Sequence, residues 1–284
     1  MHTHPTDPAT RAAAEHAAAL LEQADALIVA AGAGMGLDSG LPDFRGNEGF
    51  WRAYPALAQA RLDFASIASP AAFREAPELA WGFYGHRLAL YRRTVPHAGF
   101  GQLQRWGARM HQGLSVFTSN VDGQFQMAGY FADAVHECHG SIHHLQCLEG
   151  CSDAIWPADD FVPDVDESTC RLRNAPPRCP HCGGLARPNI LMFNDWDWLQ
   201  ARTAAQHAHQ HQHEGAQQAR HQIAEHGPHR GRRVDPAVDV VHQAASLARG
   251  AWRLARRCRS STICFCDMML RSITSRAWAS DIEG

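Results

Sequence analysis

The stretch Ala26-Leu-Ile-Val-Ala-Ala-Gly-Ala-Gly-Met-Gly-Leu-Asp-Ser-Gly-Leu-Pro-Asp-Phe-Arg45 decides the fold. Its first six residues form a short, unbroken apolar run that ends at glycine, the pattern of a strand buried on both faces of a parallel sheet. Glycines follow at positions 32, 34 and 36, where main-chain N–H groups would approach a phosphate closely and a following helix would add its positive end. The spacing is G-x-G-x-G, with Leu37 in place of the third glycine of the dinucleotide fingerprint, so the turn alone does not separate a phosphate cradle from an ordinary tight turn. The loop that follows sets an acid, an aromatic ring and a guanidinium side by side at Asp43, Phe44 and Arg45. Such a loop can shield a reactive centre and pair with phosphate.

Outward from this stretch, the other elements fit an α/β reading. Residues 8–24 are rich in strong helix formers, and residues 70–94 carry apolar residues at helical spacing until Pro96. A second apolar run, Leu114–Thr118, predicts another buried strand, and Pro188–Phe193 a third. Strand, helix and strand in that order predict a right-handed parallel crossover with ligands at the carboxyl ends of the strands. Between residues 143 and 187 periodicity gives way to Cys, Pro, Gly and acidic residues, which reads as an inserted module. Beyond residue 200 the chain turns to His, Gln, Ala and Arg, with Val238–Val241 as its one strand candidate. The expected organisation is therefore a main domain over residues 1–142, a metal module over 143–187, a return to the main domain over 188–200, and an atypical, poorly specified tail over 201–284.

Composition narrows the chemistry. The 284 residues carry 26 basic and 29 acidic side chains, a net charge of −3. That balance gives no electrostatic footprint for a nucleic-acid binder, and the arginines of 253–259 read as a solvated face. Every basic residue is arginine, and the absence of lysine excludes a P-loop and Schiff-base catalysis. No run approaches the roughly 18 apolar residues of a membrane span, and the N-terminus lacks a signal pattern. Nine cysteines, an odd number with four in short pairs, predict metal binding and free thiols in the reducing cytoplasm.

Three further clusters carry chemistry. Thr118-Ser119-Asn120-Val121-Asp122 closes the second strand, and Asn120 with Asp122 would hold a carboxamide in one orientation, although such a sequence also suits a capped turn. His139, in His136-Glu-Cys-His139-Gly-Ser141, is a candidate general base. Cys147-x3-Cys151 and Cys179-Pro-His-Cys182 supply four thiolates in two short pairs, the ligand set of a closed, tetrahedral structural zinc site. Cys170, His181 and His144 are alternative ligands.

In this order the glycine turn through Arg45, Thr118–Asp122, His139-Gly-Ser141, the paired cysteines and Arg187–Phe193 resemble the Sir2 family, the sirtuins, over about residues 20–200. The resemblance implies a Rossmann-like parallel sheet with an inserted zinc ribbon, and NAD-dependent protein deacylation. It implies that Gly32, Ala33 and Gly34 line the pyrophosphate and that Arg45 reaches phosphate or ribose. Phe44 would cover the ribose carbon with Asp43 nearby, Ser119 would border the ribose, and Asn120 and Asp122 would hold the nicotinamide carboxamide. In the implied reaction the oxygen of an acyl-lysine displaces nicotinamide, and His139 activates a ribose hydroxyl, giving O-acyl-ADP-ribose. Phe193 would border the peptide groove. The chain departs from the family at Gly36 (usually Ser), Ser119 (usually Gln) and Asn194-Asp195 (usually Gly-Glu). It also lacks a Gly-Thr-Ser-like adenosine loop downstream. A divergent or reading-frame-altered tail from about residue 200 onward would account for that loss. Mono-ADP-ribosyl transfer and a catalytically impaired, zinc-stabilised binding protein are the alternative functions.

Overall fold

A computed structural model of the chain describes residues 8–42 and 46–210. The helices are α1 (Pro8–Gln23), α2 (Gly46–Ala53), α3 (Pro55–Gln59), α4 (Phe64–Ile67), α5 (Pro70–Glu75), α6 (Pro77–Arg93), α7 (Ala98–Gly107) and α8 (Gln124–Met127). The strands are β1 (Leu27–Ala31), β2 (Leu114–Thr118), β3 (Val135–Glu137), β4 (Gly140–Cys147), β5 (Ile155–Pro157), β6 (Val165–Asp166), β7 (Arg171–Leu172) and β8 (Ala186–Ile190). β1, β2 and β3 form a parallel sheet in that order, Val29 opposite Val116 and Val116 opposite Val135. β4 is central to an antiparallel sheet of order β5-β4-β8, and β6 pairs with β7 as a separate hairpin.

The crossover from β1 to β2 contains the main core. Phe50, Tyr54, Phe73, Trp81, Phe83 and Tyr84 are almost wholly buried and meet mostly edge to face, the geometry that ring quadrupoles favour. Trp81 Nε1 donates to the Ala186 carbonyl at 3.0 Å, so the polar tip of this large ring is satisfied and ties α6 to β8. A second cluster, Phe100, Val116, Phe125, Tyr130 and Val135, covers one face of the parallel sheet.

Four elements differ from the sequence expectation. The periodic stretch 70–94 is two helices, because Pro77 lacks an N–H and its ring would collide with the carbonyl four residues back, at Phe73. The chain therefore breaks at Ala76 and restarts with Pro77 in the first turn of α6. β1 is not buried on both faces: Ile28 is 51% exposed, and Ala30 on the same face is exposed with it. The third predicted strand begins at Ala186 and ends at Ile190, so Phe193 lies beyond it. Residues 201–210, assigned to the tail, are helical and bound to the sheet: Arg202 pairs with the buried Glu137, and Gln210 Nε2 donates to the Val116 carbonyl at 2.9 Å. The remainder of the expected tail, with Val238–Val241, lies outside the described residues.

β4 begins at Gly140 and runs through Cys147, so one strand leads from the main domain into the cysteine module across the expected boundary at 143. Gly140 is needed at that junction. Its φ is +79°, and a Cβ there would stand 2.1 Å from the Asn189 carbonyl oxygen.

Candidate active site and metal centre

The parallel sheet brings three loops together at the carboxyl ends of its strands. Ser119 N donates to the Ala31 carbonyl at 3.1 Å and Cys138 N to the Thr118 carbonyl at 3.0 Å, so the ladder continues one residue past each strand. Gly32, Ser119 and Cys138 consequently leave the sheet side by side, with His139 directly after Cys138, where an open α/β sheet binds its ligands.

The glycine turn folds as a 3-10 helix, Ala33–Ser39, with Met35 N on the Gly32 carbonyl at 2.9 Å, rather than as a loop feeding an α-helix. Gly36 is buried, and a Cβ there would lie 2.9 Å from Leu41 Cδ1; the glycine in place of the family's serine thus matches the close approach of Leu41. Asn120 binds back across the site, its Nδ2 donating to the Gly32 carbonyl at 2.9 Å while its N–H meets Thr118 Oγ1. Ser119 Oγ lies 3.6 Å from where a Gly32 Cβ would stand, so Ser119 borders the start of the turn. Asp43, Phe44 and Arg45 lie outside the described residues.

Asp122 is buried, and its Oδ1 accepts from Gln124 N at 2.9 Å. Burial pushes its carboxyl up to about 6, against the pull of that hydrogen bond. The loop around it is held by His143, whose Nε2 donates to the Asp122 carbonyl at 2.9 Å. Gly123 makes this contact feasible, with φ at +71° and no Cβ to strike the His143 ring. His143, and the Gln124 side chain that reaches the Thr94 carbonyl at 3.2 Å, had no signal in the sequence beyond their neighbourhood.

Burial holds the His139 imidazole below its ordinary pKa, and a hydrogen bond to the Ser119 backbone acts in the opposite sense. The ring is therefore neutral near pH 7, with one nitrogen donating to the backbone and the other available to accept a proton. Its main chain is fixed from the other sheet, since Leu191 N donates to the His139 carbonyl at 2.9 Å.

Phe193 stands apart from this group. Its N–H donates to the Ala68 carbonyl at 2.9 Å and its ring meets Phe64 edge-on at 5.5 Å. The turn that follows Phe193 accommodates the two unusual residues. Asn194 has φ +55°, the left-handed conformation a glycine adopts without strain and asparagine tolerates. Asp195 forms a bidentate pair with Arg187, 2.8 Å on each branch, both side chains fully buried.

The metal centre is built at the far end of β4. The Sγ atoms of Cys147, Cys151, Cys179 and Cys182 all lie within 4.8 Å of one another, with Cys147 and Cys182 3.7 Å apart and Cys151 and Cys179 3.5 Å apart. Tetrahedral zinc with bonds of about 2.3 Å requires sulfur separations of about 3.8 Å, so this set fits the ion. A knuckle turn shapes it: Cys179 N donates to the Gly184 carbonyl, Gly183 adopts φ +72°, and Gly184 N approaches Cys182 Sγ at 3.4 Å. Burial opposes ionisation of Cys179, but the N–H groups of Cys182 and His181 and the neighbouring thiols outweigh it and bring this thiol down to about 7. Cys170 is not part of the set. It is buried in the turn between β6 and β7 with its backbone against Gly82 of α6, and burial pushes its thiol up to about 12.

A parallel sheet with its site at the strand ends and an inserted four-cysteine ribbon defines a Rossmann-like, zinc-ribbon class of protein. The Sir2 family profile matches residues 32–214, and the chain belongs to that family. It is 33% identical over 198 residues to an NAD-dependent protein deacylase of Corynebacterium glutamicum, covering 67% of this chain and 70% of the relative. It is 35% identical over 177 residues to NAD-dependent protein deacylase 1 of Pseudomonas aeruginosa, covering 62% of this chain and 65% of that one. An NAD-dependent protein deacylase of Pyrococcus furiosus is 32% identical over 179 residues, with 62% and 64% covered. The chain thus aligns with about two-thirds of the length of these relatives. A solved complex of a Sir2 homologue with NAD superposes with a TM-score of 0.49 at 24% identity, covering 68% of this chain and 65% of that chain.

Proposed function

We propose that this chain is an NAD-dependent protein-lysine deacylase that releases nicotinamide and O-acyl-ADP-ribose. The observation that carries the reading is that the segments bearing a desolvated imidazole, an amide and a buried carboxyl leave neighbouring strand ends beside a glycine turn. The donor set suits NAD: main-chain N–H groups of Gly32, Ala33 and Gly34 for the pyrophosphate, and Asn120 with Asp122 for a carboxamide. NAD, when bound, supplies a ribose carbon open to displacement and a leaving nicotinamide.

The chain's own groups orient and move protons. Asn120 is already aimed by its bond to the Gly32 carbonyl, so it loses little freedom on binding. Asp122, with a pKa near 6, accepts from an amide N–H when ionised. His139 takes a hydroxyl proton on the nitrogen opposite its backbone bond, and its lowered pKa keeps that nitrogen unprotonated at neutral pH. The cysteine ribbon fixes β4, and so the junction at Gly140 that follows the base.

The substrate in this reading is an acyl-lysine protein or peptide, with Phe193 beside its groove and Asp43, Phe44 and Arg45 on the ribose and phosphate side. The odd number of cysteines, with four gathered as a metal-ligand set, supports a reducing compartment, the cytoplasm, as its location. Among the described residues no helix is long and apolar enough to cross a membrane.

The test is nicotinamide release from NAD by the purified, zinc-loaded chain, with and without an acetyl-lysine peptide. Peptide-dependent release accompanied by O-acyl-ADP-ribose is expected. ADP-ribosylated protein in its place would convert the reading to mono-ADP-ribosyl transfer. No release from folded chain would leave a zinc-stabilised binding protein.

A further inference from the structure

The glycine turn must hold one shape to receive a pyrophosphate, yet glycines at 32, 34, 36 and 40 give it more backbone freedom than any other stretch of such length would have. Its bonds Met35 N to Gly32 O, Gly40 N to Leu37 O and Leu41 N to Gly36 O are local and do not anchor it to the fold. Among the described residues, three hydrogen bonds tie it to remote elements. One is Asn120 Nδ2 on the Gly32 carbonyl. The other two come from His97.

His97 caps the N-terminus of α7, its Nδ1 accepting from Gly99 N at 3.0 Å. That bond leaves the proton of the neutral ring on Nε2, which donates to the Met35 carbonyl at 2.9 Å. The main-chain N–H of the same residue donates to Ser39 Oγ at 3.0 Å. Met35 and Ser39 are the third and last residues of the 3-10 segment, so one residue grips it at both places. The ring itself has little freedom. It meets Phe100 edge-on at 4.8 Å, and it folds back over Gly99 so closely that a Cβ there would lie 2.5 Å from Cε1.

We infer that His97 is the positioning residue of the co-substrate turn, linking the helix cap of α7 to the main chain that would cradle the pyrophosphate, with Asn120 holding the opposite end. This rests on the NAD reading above. The residue contributes by preorganisation: the turn is ordered before the ligand arrives, so binding does not have to supply that entropy.

The test is His97→Asn in the zinc-loaded full chain, compared with His97→Ala. Asparagine keeps a good cap for α7 but is too short to reach the Met35 carbonyl. Hydrogen exchange without NAD reads the anchor; calorimetric NAD binding reads its consequence. In His97→Asn the amides of 35–40 should exchange about five-fold faster while those of 101–107 are unchanged, and the Kd for NAD should rise about five-fold, the effect of one net hydrogen bond. His97→Ala should accelerate both segments. A residue with only a capping role would leave the turn and the Kd of His97→Asn at parent values, and that result would overturn the inference. If the parent chain binds no NAD, the functional reading falls, and the exchange comparison alone decides the anchor: faster exchange upholds it and unchanged exchange overturns it.

Discussion

Replacing Asp195 by Asn removes one charge from the most buried ion pair among the described residues while keeping the shape of the side chain. Arg187 and Asp195 both have fully buried side chains, and the carboxylate meets the guanidinium at 2.8 Å on both branches. The same carboxylate accepts from Met192 N at 3.3 Å and Asp197 N at 3.2 Å, so it organises the whole turn after β8. Arg187 Nε already lacks a partner, so the guanidinium depends on this pair for its compensation. Leaving such a cation unpaired in the interior costs about 3–5 kcal/mol. At about 2–4 °C per kcal/mol for a domain of this size, the melting temperature should fall by about 6–20 °C. The assay is thermal and guanidinium unfolding of zinc-loaded protein, with metal content measured in parallel so that loss of zinc is not mistaken for loss of the pair. The double change Arg187→Met with Asp195→Leu removes both charges and should recover part of the loss, though the Met192 and Asp197 N–H groups would still want an acceptor. A decrease for Asp195→Asn of under about 1 kcal/mol would refute the view that this pair holds the turn.

The remaining predictions concern the site and the metal. His139→Ala should abolish nicotinamide-coupled deacylation with zinc content unchanged; turnover equal to the parent would remove His139 as the base. Asp122→Asn should raise the melting temperature at pH 8 and leave it unchanged at pH 3.5. The folded pKa near 6 lies above the unfolded value, so the stability linked to the neutral carboxyl is full below the unfolded pKa and is lost as pH rises through about 6. The same variant should bind NAD more weakly, and an equal stability difference at both pH values would contradict the buried, neutralised state. Cys179→Ser should bind less zinc and melt lower, because a structural metal contributes folding energy directly; parent-like metal content and melting would dismiss the four-thiolate site.

The course of β1 into the glycine turn, of β2 into Asn120, and the pairing of Cys147 and Cys151 with Cys179 and Cys182 were legible from residue order. Each rests on local rules: apolar runs bounded by glycine, and ligand spacings set by a short turn. The helix break at Ala76 was missed although Pro77 stands in plain view, because helical spacing runs on through it. Exposure of Ile28 was not legible, because an apolar run records what a strand could bury and not what lies beside it. The same holds for His97 and His143. A histidine beside a proline or within a strand carries no local sign that its ring spans 62 or 21 residues to a carbonyl.

By itself the sequence determined the class of sheet, the cysteine ligands and the residues that could do chemistry, because these follow from periodicity, spacing and side-chain type. Only the tertiary structure decided which of them act together. Parallel pairing of β1, β2 and β3 places Gly32, Asn120 and His139 at neighbouring strand ends, and burial there sets the protonation of Asp122 and His139. Desolvation and long-range hydrogen bonds depend on what packs around a group, and packing is a property of the folded chain rather than of any segment of it.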